Sequence, residues 1–319
     1  MAKNQAVSPL RNITDLAEAY NPPDQYFVAD QLLPRLSVEG TRFAYLTFDT
    51  IRQRLLNDIQ RAPGADVNEV EWDVTENTDM TKERAVSALI DRKTVRDFGR
   101  AVAEERAVQA VRTQILLQSE NRAKDLLQTT GNYPSSSYYT TLSASTDKWD
   151  DFENSDPEDD VRTGIDQILS EATVMPNTIC IPWEVATKFA QHPVIRDLQV
   201  RDGGGNSSSA LAMNDRAGLP SSMWGLNVVV PKVTYVSSNA GATETNAFMW
   251  GKSVWIGYVT STPSVTLPSF GYNFTALTQT FSMGNTGRAG GGEFVEGYED
   301  QVYKVVGQRM GYLIQTVVT

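Results

Sequence analysis

Apolar residues recur at three- and four-residue spacings over 91–128, at Val95, Phe98, Val102, Val108, Val111, Ile115 and Leu126. This pattern predicts one long amphipathic helix. It would run ~55 Å, against the ~50 Å width of a compact chain of this length, so a flattened or elongated shape is expected. Gly99 is its weak point. Arg92, Arg96, Arg100, Glu104, Glu105, Gln109, Arg112 and Glu120 cover the other face, with Glu120 and Lys124 spaced as a helix pair.

Upstream the period shortens to two. Residues 41–49 form an aromatic-rich strand candidate, and after the turn Arg61-Ala62-Pro63-Gly64 residues 69–75 alternate cleanly. Val70, Trp72 and Val74 point one way, and Glu69, Glu71, Asp73 and Thr75 the other. Together they predict a long hairpin-like ribbon, which is marginal in water unless it packs on something. Residues 1 to about 40 hold one short helical candidate, capped by Asn12 or Thr14, and the breakers Pro22, Pro23 and Pro34. They form an arm rather than a domain, and read as a loose tail unless another surface orders them as a strap.

Downstream, a Ser/Tyr/Thr strand segment reaches Thr141, and Asp156-Pro157-Glu158-Asp159 has the cap, first-turn proline and acids of a helix start. That helix carries Val161, Ile165, Ile168 and Ala172 on one stripe and stops before Pro176. Residues 178–181 predict a short buried strand, Pro182 opens a helix that His192-Pro193 closes, and 202–209 form a Gly/Ser-rich mobile loop. Strands are predicted at 226–230, 233–236, 246–250, 253–259, 270–280, 298–306 and 310–318. The class is α+β, without internal repeats.

Charge and composition narrow the chemistry. A net charge of −11 has the wrong sign for gripping nucleic acid by counterion release, which argues against sequence-specific DNA binding. Residues 1–10 lack the apolar region of a secretory signal and no run approaches a membrane span, so a cytosolic chain is expected. Cys180 is the lone cysteine and His192 the lone histidine, leaving few options for disulfides, thiolate zinc or proton shuttling. Cys180 sits in an apolar strand and reads as inert core, and His192 at a helix end reads as a carbonyl cap. The glycine-rich stretch 284–292 lacks the Gly-Lys-Ser/Thr ending of a phosphate loop and reads as a hairpin tip. The acids of 147–160 lack the spacing and turn glycine of a calcium loop.

Several segments, taken in order, carry a resemblance. They are Arg61-Ala62-Pro63-Gly64 before the Val70-Trp72-Val74 strand, the long helix, Asn132-Tyr133-Pro134, Trp149, the helix start at Asp156 and Pro176-Asn177-Thr178. His192-Pro193-Val194-Ile195-Arg196-Asp197, Trp224-Gly225, Pro268-Ser269-Phe270-Gly271-Tyr272 and Gly311-Tyr312-Leu313-Ile314 follow. In this order they resemble the major capsid proteins of tailed bacteriophages with the Hong Kong 97-type fold. The resemblance implies an N-arm over 1–40, an extended E-loop over 41–90, and the spine helix and start of the peripheral domain over 91–145. It implies a mainly axial domain over 146–297 and a return to the peripheral sheet over 298–319. Gly203, Gly204, Gly205 and Asn206 would then lie in an axial loop near the five- and six-fold centres.

The resemblance implies a structural protein without catalytic residues, cofactor or metal, assembling with itself into pentamers and hexamers around double-stranded DNA held non-specifically. The virion head, assembled in the host bacterial cytoplasm, is its expected location, with a scaffolding protein, a portal and a decoration protein as further partners and no membrane. An interface is expected in which Glu69, Glu71 and Asp73, with Val70, Trp72 and Val74 behind them, meet Arg92, Lys93, Arg96 and Arg100 of an adjacent subunit. Lys82 lies where some relatives form covalent crosslinks, but no motif identifies its partner, and none is expected. An encapsulin-like compartment is the nearest alternative, and a monomeric carboxylate-dependent hydrolase the alternative from another class.

Overall fold

Residues 27–48, 74–202, 216–238, 241–285 and 292–319 are described by the structure, a computed structural model. The elements begin with α1 (Ala29–Leu32), β1 (Arg35–Ser37), β2 (Arg42–Phe48), β3 (Val74–Met80), β4 (Lys82–Asp91), α2 (Arg92–Phe98) and α3 (Arg100–Gln128). Next come β5 (Tyr139–Thr141), α4 (Pro157–Ala172), β6 (Thr178–Cys180), α5 (Trp183–Phe189) and α6 (Pro193–Asp202). β7 (Ser222–Met223), β8 (Leu226–Val229), β9 (Thr234–Val236), β10 (Asn246–Phe248), β11 (Val254–Gly257), β12 (Gly271–Asn285), β13 (Gly292–Val305) and β14 (Gly311–Gln315) complete the series.

β12 and β13 pair antiparallel in a long hairpin, with β4 added antiparallel beyond β13 and β1 parallel beside β12. Alternation along β4 and β13 sends Val86, Ala88, Ile90 and Val295 to one face, where Ala103, Ala107, Val108, Val111 and Ile115 of α3 pack on them. Alanines bring the helix close, and Gly297 removes the last obstacle. A Cβ there would lie 2.7 Å from Val111, 2.8 Å from Ile115 and 3.0 Å from Phe281.

Further along α3 the contact turns polar. Ser119 Oγ lies 2.6 Å from the Tyr303 hydroxyl and accepts from Gln301 Nε2 at 3.2 Å. Arg122 pairs with the buried Glu299 carboxylate, which also accepts from Gln301 Nε2 at 2.8 Å.

The six-stranded sheet has the order β5-β14-β11-β6-β8-β7, with parallel pairs β5/β14 and β6/β8 and the rest antiparallel. Its central strands are buried throughout and therefore read as apolar runs. α4 lies against it through Gly164, where a Cβ would approach the Tyr312 ring to 2.8 Å. The main core gathers Trp149, Phe189, Trp250, Trp255 and Phe270. Asp156 caps α4 as predicted, accepting from the Glu158 and Asp159 amides at 3.2 Å each, with Pro157 in the first turn.

Four expectations change. The helix predicted over 91–128 is two helices, because Gly99 takes φ 87°, a left-handed conformation that helical residues do not adopt. The buried stripe shifts accordingly, and Val102 is left 41% exposed. The partner of β2 is Val74–Met80, seven residues in register from Arg42↔Met80 to Phe48↔Val74. This strand has no apolar alternation, and residues 69–73 lie outside the described part. The arm is not a loose tail over its described portion. Val28, Ala29, Leu32 and Leu33 are buried in the main core and β1 joins the four-stranded sheet, while residues 1–26 lie outside the description.

His192 caps in the opposite sense to the one expected. Its Nδ1 accepts the Val194 amide at 3.3 Å, opening α6 rather than closing α5. The last stretch of chain divides between the sheets: Tyr298 to Val305 belongs to β13, and Gly311–Gln315 lies inside the six-stranded sheet. Lys82–Asp91 continues directly from the ribbon into the four-stranded sheet as its edge.

Gly297→Ala is expected to cost ~1–3 kcal/mol by overpacking the α3 contact. Urea unfolding checks it, with an unchanged midpoint counting against this account of the helix seating.

Candidate assembly surfaces

The described part of the ribbon of β2 and β3 is held against the sheet by one face and open on the other. Phe43 stacks on Phe274 of β12 with centroids 4.5 Å apart, and Tyr45 tilts onto the same ring at 5.4 Å. The Phe48 amide donates to the Val306 carbonyl at 3.0 Å, and Thr81 N–H to the Thr41 carbonyl at 2.8 Å. Lys304 pairs with Asp79 and holds its carboxyl below the usual range. Arg42, Ala44 and Thr78 are exposed, and Met80 is 49% exposed.

Arg92, Lys93 and Arg96 project from α2 into solvent, Arg96 beside its neighbour Asp97 at 3.3 Å. Arg100 is engaged within its own chain, with Glu104 at 2.6 Å and Glu293 at 2.8 Å. These bonds, that to Glu104 first, raise its pKa. Arg92 and Arg100 share a shallow cleft with Ile90, Val95, Gly292 and Glu293.

Of the predicted interface residues, Glu69, Val70, Glu71, Trp72 and Asp73 lie outside the description, as do Gly203, Gly204, Gly205 and Asn206 of the predicted loop. Val74 opens β3. Of the expected contact only Val74 and the four basic residues fall among the described residues, and Arg100 is drawn into intrachain pairs.

One surface was not anticipated. On the face of the four-stranded sheet away from α3, Leu89 is 66% exposed opposite Phe294, and Leu277 of β12, opposite Asp300 further along the same face, is 46% exposed. Its signal in the sequence is the alternation of Ala85, Ser87 and Leu89 against Val86, Ala88 and Ile90, which marks a two-faced strand.

Residues with other chemistry are occupied structurally. Cys180 is buried in β6, and burial pushes its thiol pKa far up. The His192 ring sits near Ser155 Oγ at 3.4 Å and edge-on to Phe152, and no hydrogen bond joins it to Cys180 among the described residues. Asp160 accepts from Trp149 Nε1 at 2.8 Å, and burial raises its pKa. Asp151 accepts from the Glu153 and Asn154 amides at 3.2 Å each. Among the described residues no three His, Cys, Asp or Glu side chains converge as metal ligands, and no helix is long and apolar enough to cross a membrane.

No protein-family model and no curated protein matches the sequence. Solved structures do match. A phage-related protein from Bordetella bronchiseptica aligns over 96% of this chain and 96% of its own, at 21% identity and a TM-score of 0.69. The capsid structure of cyanophage P-SCSP1u covers 93% of this chain and 90% of its own, at 11% identity and a TM-score of 0.61. An encapsulin complex from Synechococcus elongatus covers 97% and 96%, at 10% identity and a TM-score of 0.51. The fold is the α+β Hong Kong 97-type fold of phage capsids.

Phe43→Ala is expected to loosen the ribbon's hold on the sheet, an aromatic contact of about 0.5–1.5 kcal/mol. Limited proteolysis should then cut several times faster within residues 42–80, and cutting rates equal to the parent's would show that the ribbon is held elsewhere.

Proposed function

We propose that this chain is the shell-building subunit of a tailed-phage head, assembling with its own copies into pentamers and hexamers around double-stranded DNA. The observation that carries this reading is the fold likeness to a phage capsid structure over nine-tenths of both chains. Physical features agree with it. A two-stranded ribbon with one face open and exposed apolar positions at Met80, Leu89 and Leu277 are liabilities for a solitary chain, and neighbouring copies would cover them. A charge of −11 suits a container whose DNA must slide rather than stick.

In this reading the four-stranded sheet with α3 is the peripheral domain, the six-stranded sheet the axial domain, and residues 203–206 approach the symmetry centres. Glu69, Glu71 and Asp73 of one subunit meet Arg92, Lys93 and Arg96 of the next, with Arg100 contributing less because Glu104 and Glu293 already hold it. Exposed ion pairs stabilise weakly, ~0–1 kcal/mol each, so a row rather than one pair is required. A separate scaffolding protein, a portal and a decoration protein act with the shell, and no covalent crosslink forms. No catalytic role is assigned to any residue. An encapsulin-like compartment is the second reading, supported by the likeness to the Synechococcus complex.

Expression of the chain, followed by light scattering and negative-stain microscopy, is expected to show shells, tubes or capsomer rings. Nuclease-protected double-stranded DNA inside particles supports the phage head, and a packaged enzyme in its place overturns it in favour of the compartment. Reversing Arg92, Lys93 and Arg96 to glutamate together should lower particle yield and increase its salt sensitivity. Unchanged yield and salt response would remove the proposed contact. A covalent ladder on a denaturing gel would contradict the absence of crosslinks.

A further inference from the structure

Glu120 lies in the C-terminal part of α3, where a carboxylate facing solvent would have been unremarkable, yet it is fully buried. Its two oxygens accept hydrogen bonds from three donors on two other parts of the chain. The Val28 amide reaches both Oε1 and Oε2 at 3.1 Å, the Ala29 amide reaches Oε2 at 2.9 Å, and Trp250 Nε1 reaches Oε1 at 2.8 Å. One side chain thus joins the arm at α1, the long helix, and Trp250, the second residue beyond β10. Among the described residues no ammonium or guanidinium pairs with it. The ionisable groups facing it are Asp30 on α1, which is paired with Arg35 at 2.8 Å, and Cys180 on β6.

We propose that Glu120 is a proton-linked clamp, through which pH sets how firmly the arm segment 27–33 is held against α3 and the six-stranded sheet. The three donors favour the ionised acid, but burial opposes it more strongly and Asp30 adds a like charge, so its pKa is pushed up to about 7. With the arm opened and the group wetted, its value returns towards the ordinary 4.5. A closed state with the higher pKa binds the proton more tightly, so the grip is firmest below the ordinary value and is lost as pH rises through about 7. Cys180 stays protonated over this range, because burial holds its thiol far above the usual value.

Hydrogen exchange of the full chain by mass spectrometry tests the clamp between about pH 5.5 and 8.5, with rates corrected for the intrinsic pH dependence of exchange. Protection of 27–33, relative to the 178–181 strand, is expected to fall at least tenfold over the range. In Glu120→Gln that relative fall should vanish. Asp30→Asn, a change at an exposed position that keeps a hydrogen-bonding partner for Arg35, removes the like charge and should move the midpoint of the fall to lower pH. Trp250→Phe removes a donor to the ionised acid and should move it higher. A relative protection that is flat with pH in the parent chain overturns the proposal, as does the same fall in Glu120→Gln. If Glu120→Gln fails to fold, midpoints unmoved in both other variants overturn it instead.

Discussion

The close seating of α3 on the β12–β13 hairpin is the contact on which the rest of the molecule depends. A helix of 29 residues with mixed charge has little reason to persist alone, and a long hairpin in water is equally marginal. Each supplies the other's missing apolar face, and the approach works only because Ala103, Ala107 and Gly297 keep the space between them shallow. β4 extends the platform on one side and β1 on the other. The ribbon is rooted on the opposite face through Phe43 and Tyr45, so both faces of one sheet organise separate parts of the chain.

Much of this architecture was legible in residue order. The α4 cap at Asp156, the buried strand around Cys180 and the long helical stripe follow from local chemistry, because each depends on residues within one or two turns of each other. The misreadings share a different cause. Val74–Met80 becomes a strand because Arg42–Phe48 lies opposite it, although Thr75, Glu76, Asn77 and Thr78 show no apolar alternation. Likewise the arm is ordered by a buried glutamate 91 and 92 residues away from its amides, a pairing no local window contains. Of the candidate interface, α2 and its cations were visible as a charged row, whereas the intrachain capture of Arg100 by Glu293 required the β4/β13 register. The open face around Leu89 was present in the alternation, and became visible only once the strand's partner was known.

The helix–sheet contact also changes character along its length. Its first half is apolar and closes on glycine, while its second is the hydrogen-bonded group of Ser119, Arg122, Glu299, Gln301 and Tyr303. Apolar packing tolerates small slips at modest cost, but the buried Arg122–Glu299 pair does not, since separating its members leaves a charge uncompensated in a dry layer. The polar half therefore fixes the register of the helix along the strands, and the apolar half supplies most of the adhesion.

The parallel run of the helix and the hairpin has a mechanical meaning. The hairpin strand of 15 residues spans ~50 Å and the helix ~43 Å, bonded face to face along much of that distance. Such a laminate behaves as a composite beam: bending it demands that one layer shear past the other, and the Arg122–Glu299 pair resists that sliding. Flexure is thereby displaced to where the laminate ends, as at Gly99 on the helix side. Force applied to the molecule would be carried along the beam and relieved where the two layers part, so that the beam moves as one stiff piece rather than bending.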